Sequence, residues 1–487
     1  MSPSIEPFNE VRYNLLMDGL ECSEILLSNI DLGDRIDAEY FSKSFLNIEN
    51  CLEHLPTKRI GEIADTVASA FYPAATQLYS VGDTAFVRCV DCIDYPVISK
   101  DQDNCFEKIP RTFAEENKGI SILRTNDIVI TKVGTPCYAS IINEYDEVAL
   151  SRTVLGLTNI RDVNPFYLIV FLRSKYGFGQ LYRHREQTIQ YQLTLPRVKS
   201  VDVFIPSETF QNIIVKLTKK YHAVLHDSKL LYQNVDNVFL KKLKFDPSNM
   251  SSRGIFEKRL TDTFVLTGRL DAEYYLPKYD ELFSLLNKLP TKLLGEIVSM
   301  MKSVEPGSEC YGEEGVPFIR VSDFSPMGID TPTIKIPKTI IPSIESLYPK
   351  KDTILFSKDG SVGIAYKLEH DMSAVTSGAI LHLKIKNEKT ILPDYLTLVL
   401  NSDIVRLQAE RDVSGAIIQH WKPSDIAKVV IPILSYDEQK MISEKIQQSF
   451  QLRRKAEYLI EKAIKAVEIA IEKDENTAIE WLNELLT

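Results

Sequence analysis

Two stretches of the chain carry apolar side chains at spacings that alternate between four and three. In the first, Phe210, Ile214, Leu217, Tyr221, Val224, Ser228, Leu231, Val235 and Val238 fall on one face. In the second, Ile442, Ile446, Ser449, Arg453, Ala456, Ile460, Ala463, Val467 and Ala470 keep the same rhythm. A stripe this long predicts a helix with one buried seam, of heptad type. Neither stretch contains proline, and Ser228, Ser449 and Arg453 interrupt the seams, which favours a specified partner over loose collapse. The two helices are expected to pack on each other antiparallel, each about 35 residues and roughly 50 Å long.

Ahead of each long helix the pattern shortens. Residues 85–90, 127–130 and 353–356 are β-branched or aromatic runs bounded by Gly, Asp and Pro, and predict strands. Residues 37–55 and 271–289 predict short opening helices. Residues 166–182 and 394–411 predict longer ones, and 201–206 and 429–432 predict closing strands that end in proline. The expected fold class is α+β: two similar mixed α/β domains joined by two long helices packed as an antiparallel coiled coil.

That similarity is a repeat. Arg35-Ile36-Asp37-Ala38-Glu39-Tyr40-Phe41 returns as Arg269-Leu270-Asp271-Ala272-Glu273-Tyr274-Tyr275, and Leu55-Pro56-Thr57-Lys58 returns as Leu289-Pro290-Thr291-Lys292 in the same register. Phe86-Val87-Arg88 with Asp91 matches Phe318-Ile319-Arg320 with Asp323, and Thr131-Lys132-Val133-Gly134-Thr135 matches Ser357-Lys358-Asp359-Gly360-Ser361. Pro165, Tyr167 and Ser174 match Pro393, Tyr395 and Ser402, and Ile189-Gln190 matches Ile418-Gln419. The register drifts by a few residues between blocks, as it does when a fold is kept and its loops vary. A unit this long is a domain with its connector, not a solenoid repeat. The expected boundaries are an N-terminal segment 1–34, a first domain 35–206, a central helix 207–246, a linker 247–268, a second domain 269–432, a C-terminal helix 433–475 and a tail 476–487.

Composition narrows the class. A chain of 487 residues with 44% hydrophobic and 25% charged residues is ordinary for a globular protein. It has no apolar run near the ~18 residues that span a bilayer and no signal-peptide pattern, so no membrane and a cytoplasmic location are expected. A net charge of −10 argues against a protein coated in nucleic acid by bulk charge, but leaves room for local basic faces. Seven cysteines suggest reduced thiols rather than a disulfide framework. Cys89 and Cys92 align with Val321 and Phe324, so they read as residents of apolar slots rather than as half a metal site.

Catalytic signatures are missing. There is no Gly-rich phosphate loop, no His-Glu-x-x-His and no nuclease-type carboxylate cluster. Asn164-Pro165-Phe166-Tyr167 faintly resembles an amino-methyltransferase motif but lacks its second proline, and reads as a proline opening a helix. The best polar constellation is the pair of loops containing Lys132 with Thr135, and Lys358 with Ser361. Ammonium, hydroxyl and a glycine that permits close backbone approach suit phosphate oxygens, and a tight turn would need the same glycine. Arg88 with Asp91 and Arg320 with Asp323 read as structural pairs.

Two heads, two long helices and no catalytic apparatus resemble the specificity (S) subunit of Type I restriction-modification enzymes. The residues carrying the resemblance are Arg269-Leu270-Asp271-Ala272-Glu273-Tyr274-Tyr275, Phe318 to Asp323, Ser357-Lys358-Asp359-Gly360-Ser361-Val362-Gly363, and Ile431-Pro432 with Glu438-Gln439 and Ile442. The resemblance implies a non-enzymatic DNA-recognition subunit in which each head reads half of a bipartite site in double-stranded DNA. It implies that the helices set the spacer and dock methyltransferase (M) subunits, two of them, with restriction (R) subunits in the full complex. This chain would carry no cofactor; S-adenosylmethionine would sit in the M subunits. Alternatives are a Type IIB-like or other methylase-based defence system, or a two-headed scaffold binding protein partners. Residues shared by both heads should build scaffold or hold phosphate, and base readers should lie where the copies diverge. That points to Arg183, Arg185, Gln187 and Gln190 in the first head, and to Arg411, Gln419, His420 and Lys422 in the second.

Overall fold

The computed structural model describes residues 9–21, 23–27, 30, 35–93, 95–100, 106–186, 191–250, 256–330, 332–340, 343–413 and 419–486. The chain divides into two compact units, residues 1–226 with 454–487, and residues 227–453. The division cuts both long helices, which run Glu208–Lys242 and Tyr436–Glu472. Each unit is therefore one head with two half-helices.

Within each unit the half-helices share the head's core. In the first, Phe210, Ile214, Leu217, Tyr221 and Leu225 are buried in one cluster with Ala456, Ile460, Ala463, Val467 and Ala470. In the second, Val235, Phe239 and Leu240 are buried with Ile442 and Ile446. The start of one helix meets the end of the other in the first unit, and the reverse holds in the second, so the packing is antiparallel. The second helix buries its expected heptad positions from Ile442 to Ala470, Arg453 apart, but the first departs from the heptad reading. Leu225 and Phe239 are buried where Val224 and Val238 were expected, and those two are only partly buried. From Phe210 to Phe239 the buried stripe advances about 3.6 residues per turn, the period of a straight helix rather than a supercoiled one.

The serines that interrupt the seam face each other. Ser228 Oγ donates to the Ser449 carbonyl at 2.7 Å and Ser449 Oγ donates to the Ser228 carbonyl at 2.8 Å. Both side chains are buried. The hydroxyls are satisfied by the partner helix's backbone, so the polar gap in each seam is filled by its counterpart.

In the first head, strands Thr57–Arg59 and Asp202–Phe204 pair antiparallel and tie the start of the domain to its end. A five-stranded sheet follows the spatial order Asp65–Ala68, Val154–Thr158, Ile128–Thr131, Ala139–Ile142, Val97–Ile98, antiparallel except for its last pair. A four-stranded sheet is ordered Lys108–Ile109, Thr84–Val87, Val148–Leu150, Ile122–Leu123, its central pair parallel. The second head repeats the plan. Thr291–Leu293 pairs with Val430–Pro432. Val298–Lys302, Ile380–Ile385, Ile354–Ser357 and Ala365–Lys367 form the larger sheet, and Lys335–Ile336, Val316–Ile319 and Val375–Thr376 form a three-stranded one that keeps the parallel pair.

The helix expected over 166–182 is two helices, Pro165–Arg173 and Lys175–Arg183; its counterpart is Pro393–Asn401 and Asp403–Asp412. The break falls at Ser174 and Ser402, both extended in backbone. Their hydroxyls donate to the Phe171 and Val399 carbonyls at 2.6 Å, closing the first helix of each pair. The residues read as a tail form a further helix, Glu475–Leu486, capped by Asp474, whose carboxylate accepts from Thr477 N at 2.8 Å; Ala478 and Leu482 are buried in the first unit's core. No helix among the described residues is long and apolar enough to cross a membrane.

Candidate DNA-recognition surface

The likeness of the two heads extends to buried hydrogen bonds. Tyr167 Oη donates to the Phe204 carbonyl at 2.9 Å, and Tyr395 Oη to the Pro432 carbonyl at 2.8 Å. Gln211 Oε1 accepts from Asn164 N, and Gln439 Oε1 accepts from Leu392 N, both at 3.0 Å. Gln180 brackets the backbone of Asp202 as Gln408 brackets that of Val430. Asp91 and Asp323 each accept from the backbone N–H three residues earlier, at Arg88 (2.7 Å) and Arg320 (2.9 Å). These matched groups hold the fold up; they carry no information that differs between the heads.

On this scaffold the two polar loops are hairpin connections, between Ile128–Thr131 and Ala139–Ile142 and between Ile354–Ser357 and Ala365–Lys367. Each is locked at its base by a hydroxyl: Thr131 Oγ1 accepts from Tyr138 N, and Ser357 Oγ accepts from Ile364 N, both at 2.9 Å. Gly134 and Gly360 have φ of +89° and +75°, with no atom within 4 Å of where a Cβ would stand. The turn thus requires glycine, and the space above it is open. Thr135 and Ser361 are exposed at the tips.

A second segment lies along each loop. Leu193 N donates to the Lys132 carbonyl at 2.9 Å, and Trp421 N to the Lys358 carbonyl at 2.8 Å. Bridges pair Val133 with Gln192 and Asp359 with His420. The register therefore makes Gln419 the equivalent of Tyr191, one residue away from the sequence match to Gln190. In the second head, Lys358, Ser361, Gln419, His420 and Lys422 converge on one surface, the last three of them exposed. In the first head, Lys132 and Thr135 occupy the equivalent place. Gln187 and Gln190 lie outside the described residues.

Three arginines are tied into the heads by contacts of their own. Arg183 Nε donates to the Tyr40 carbonyl at 2.8 Å, Nη1 pairs with Glu49 at 3.0 Å, and the guanidinium lies 4.3 Å from the Tyr40 ring centre. Arg411 lies 4.3 Å from the Phe283 ring and 5.1 Å from that of Tyr274, the counterpart of Tyr40, and pairs with Asp412 at 2.8 Å. Arg35 and Arg269 fork onto Asp37 and Asp271 in the same neighbourhoods and reach the backbone at Arg183 and Asp412. Arg183 and Arg411 are thus equivalent, and they clamp the opening motif of each head rather than marking a divergence. Arg185 is buried, in contact with Glu39, its guanidinium between the rings of Tyr182 (3.4 Å) and Tyr191 (3.9 Å). The contacts to Tyr40, Glu49, Glu39 and Phe283 join residues far apart in sequence, which is why spacing did not reveal them.

The electrostatics of the two loops differ. Lys358 is buried and contacts Asp359, whose other oxygen accepts from His420 Nδ1 at 2.9 Å. Burial alone would raise the Asp359 carboxyl; the hydrogen bonds from Lys358 and His420 outweigh it and hold the group below its ordinary value. In the first head, Val133 replaces Asp359 and Gln192 replaces His420. Lys132 forms no ion pair among the described residues, and burial lowers its pKa. Asp359, Tyr191 and Gln192 were not singled out from sequence. The signal that could have found Asp359 is the single charge difference inside an otherwise matched loop.

Cys92 lies in the apolar core of the first head, as the apolar-slot reading expects, whereas Cys89 is half-buried against the loop. Cys92 is buried, and burial pushes both it and Cys89 up, holding them as thiols. The Cys89 thiol donates to the Thr135 carbonyl at 3.3 Å. Among the described residues no group of His, Cys, Asp or Glu could hold a metal ion.

Comparison with known proteins gives a family for part of this architecture. Residues 291–465 match the Type I restriction modification DNA specificity domain. The Type I restriction enzyme StySPI specificity subunit of Salmonella potsdam is 26% identical over 136 residues, which is 28% of this chain and 29% of that subunit. Among solved structures, the S subunit of a Type I restriction-modification system from M. genitalium is 13% identical, with a TM-score of 0.39 over 86% of this chain and 96% of that one. The HsdS subunit from Thermoanaerobacter tengcongensis is 17% identical, with a TM-score of 0.29 over the same shares. At these TM-scores the likeness adds nothing to the fold described above. The second head and most of the helix after it carry the Type I DNA specificity domain, and the resemblance of this chain to Type I specificity subunits stands on that domain.

Proposed function

We propose that the chain is the DNA-recognition subunit of a Type I restriction-modification complex, each head reading one half of a bipartite site. The observation that carries this is a contrast. The heads match down to their buried hydrogen bonds, yet the exposed loop and the strand beside it differ in charge and hydrogen-bonding residues, Val133 and Gln192 against Asp359 and His420. A shared frame with a variable polar edge suits two modules that meet the same kind of ligand with different sequences. In this reading Gln419, His420 and Lys422 face base edges or backbone in the second head, and Lys132 and Thr135 face the backbone in the first. Arg183, Arg185 and Arg411 orient the opening segments instead.

The methylation itself belongs to modification subunits that bring S-adenosylmethionine, and cleavage to restriction subunits. The long helices set the separation of the half-sites. Leu26 and Leu260 ahead of the two heads and Ile36 and Leu270 at their openings, all exposed apolar residues, are candidate contacts for two modification subunits. The test is reconstitution. The purified chain alone should neither methylate nor cleave DNA, and with the modification subunits it should direct methylation to one bipartite motif. Turnover by the chain free of other subunits would overturn the assignment.

A further inference from the structure

We propose that the two heads hold the DNA backbone unequally: Lys132 in the first head binds a phosphate, whereas Lys358 in the second is neutralised by its own neighbours. The inference rests on the DNA-recognition reading above and goes beyond it, because that reading treats the two loops as equivalent.

The backbone frame is the same in both. The lysine carbonyl accepts from Leu193 in one head and Trp421 in the other, a glycine of positive φ follows two residues later, and a hydroxyl residue is exposed beyond it. Only the side chains around the ammonium differ. Lys358 lies against Asp359, and Asp359 is held in turn by His420. That trio carries its own counter-charge, so a phosphate would have to displace a carboxylate. Val133 and Gln192 cannot supply one. Lys132 is left part-buried without an ion-pair partner among the described residues, and burial disfavours its charged form. An anion above the open glycine tip would offset that cost, with the Thr135 hydroxyl beside it. The chemistry that fits is a phosphate diester oxygen, which needs a point charge and a hydroxyl donor but no base-specific geometry.

The experiment measures the salt dependence of binding by the chain assembled with its modification subunits, using a fluorescent duplex of mixed sequence. Each neutralised phosphate contributes about 0.9 to the slope of log affinity against log salt. K132Q should lower the slope by about 1 and weaken binding on every sequence, while K132R should keep it. V133D, which gives the first loop the second's carboxylate, should act like K132Q although Lys132 is still present. K358Q should leave the slope nearly unchanged, and D359V, by releasing Lys358, should steepen it by about 1. Unaltered thermal melts would show that each variant is folded, and V133D with D359V tests the idea without touching either lysine. Equal losses of slope from K132Q and K358Q, or no change from V133D and D359V, would overturn the inference. A wild-type complex whose DNA binding ignores salt would instead sink the DNA-recognition reading itself.

Discussion

Ser207 and Ser435 open the two long helices, and only one has the expected partner three residues on. Ser435 and Glu438 form a reciprocal cap: Glu438 accepts from Ser435 N at 3.1 Å, and Ser435 Oγ accepts from Glu438 N at 3.4 Å. Glu438 also pairs with Lys242 at 2.6 Å, and these bonds hold its carboxyl down at about 2. The first helix has Phe210 at that position, which from sequence is simply a missing glutamate. The structure supplies the carboxylate from elsewhere: Glu475 accepts from Ser207 N at 2.9 Å and from its hydroxyl. E475A should therefore destabilise the first unit by about 1 kcal/mol, as loss of a cap does, although residue 475 is remote in sequence. Thermal unfolding against E480A, a change on the same helix, would check it; equal melting temperatures for the two variants would contradict the assignment. A local motif was legible in the second copy, and its long-range substitute in the first was not.

Among the elements, the long helices were the most legible and the most instructive in error. Their existence, lack of breaks and antiparallel packing follow from the apolar stripe. The heptad positions are buried along the second helix, from Ile442 to Ala470, whereas in the first the stripe drifts to Leu225 and Phe239, as an unsupercoiled helix requires. The serine interruptions are a matched pair. S228A and S449A should each cost about 1 kcal/mol, and the double variant should cost clearly less than their sum, since each hydroxyl bonds to the other residue's backbone and the two lie 3.2 Å apart. Strict additivity in a double-mutant cycle would show that the pair is not coupled.

Asp236 on the first long helix tests its packing beside the second head by pH. Burial, then the charge of Asp403, raises its carboxyl to about 6, and one buried oxygen has no hydrogen-bond partner among the described residues. A carboxyl raised in the folded state binds its proton more tightly there than in the unfolded chain. Its penalty is thus present above about pH 6 and is relieved as pH falls toward the ordinary value near 4. D236N should raise the melting temperature at pH 7 by ~2–4 °C and have little effect at pH 4. Calorimetry at both values would check this; a stabilisation that is the same at both would mean that the charge is not the cause.

At the scale of the whole molecule, the repeat made the architecture readable: two heads, each closed by its first and last strands, and a long helix after each. The candidate surface was only half legible. The loops were found because glycine, lysine and a hydroxyl residue recur in register. The contacts that hold Arg183, Arg185 and Arg411, to Tyr40, Glu39 and Phe283, are set by tertiary folding and leave no local pattern. The difference that separates the heads came down to Val133 against Asp359, visible in the repeat, and Gln192 against His420, which only the bridge register could align.

The central claim is that recognition is divided between the heads, and a chimera tests it most directly. The first head, residues 35–206, would be replaced by that of a relative with a different target, in cells that supply the modification subunits. Genome-wide mapping of methylated adenine, with and without the chimera, reads both half-sites at once. The account predicts a new sequence in one half of the motif, the old sequence in the other and an unchanged spacer. A motif altered in both halves, or one that keeps the original sequence in full, would contradict it.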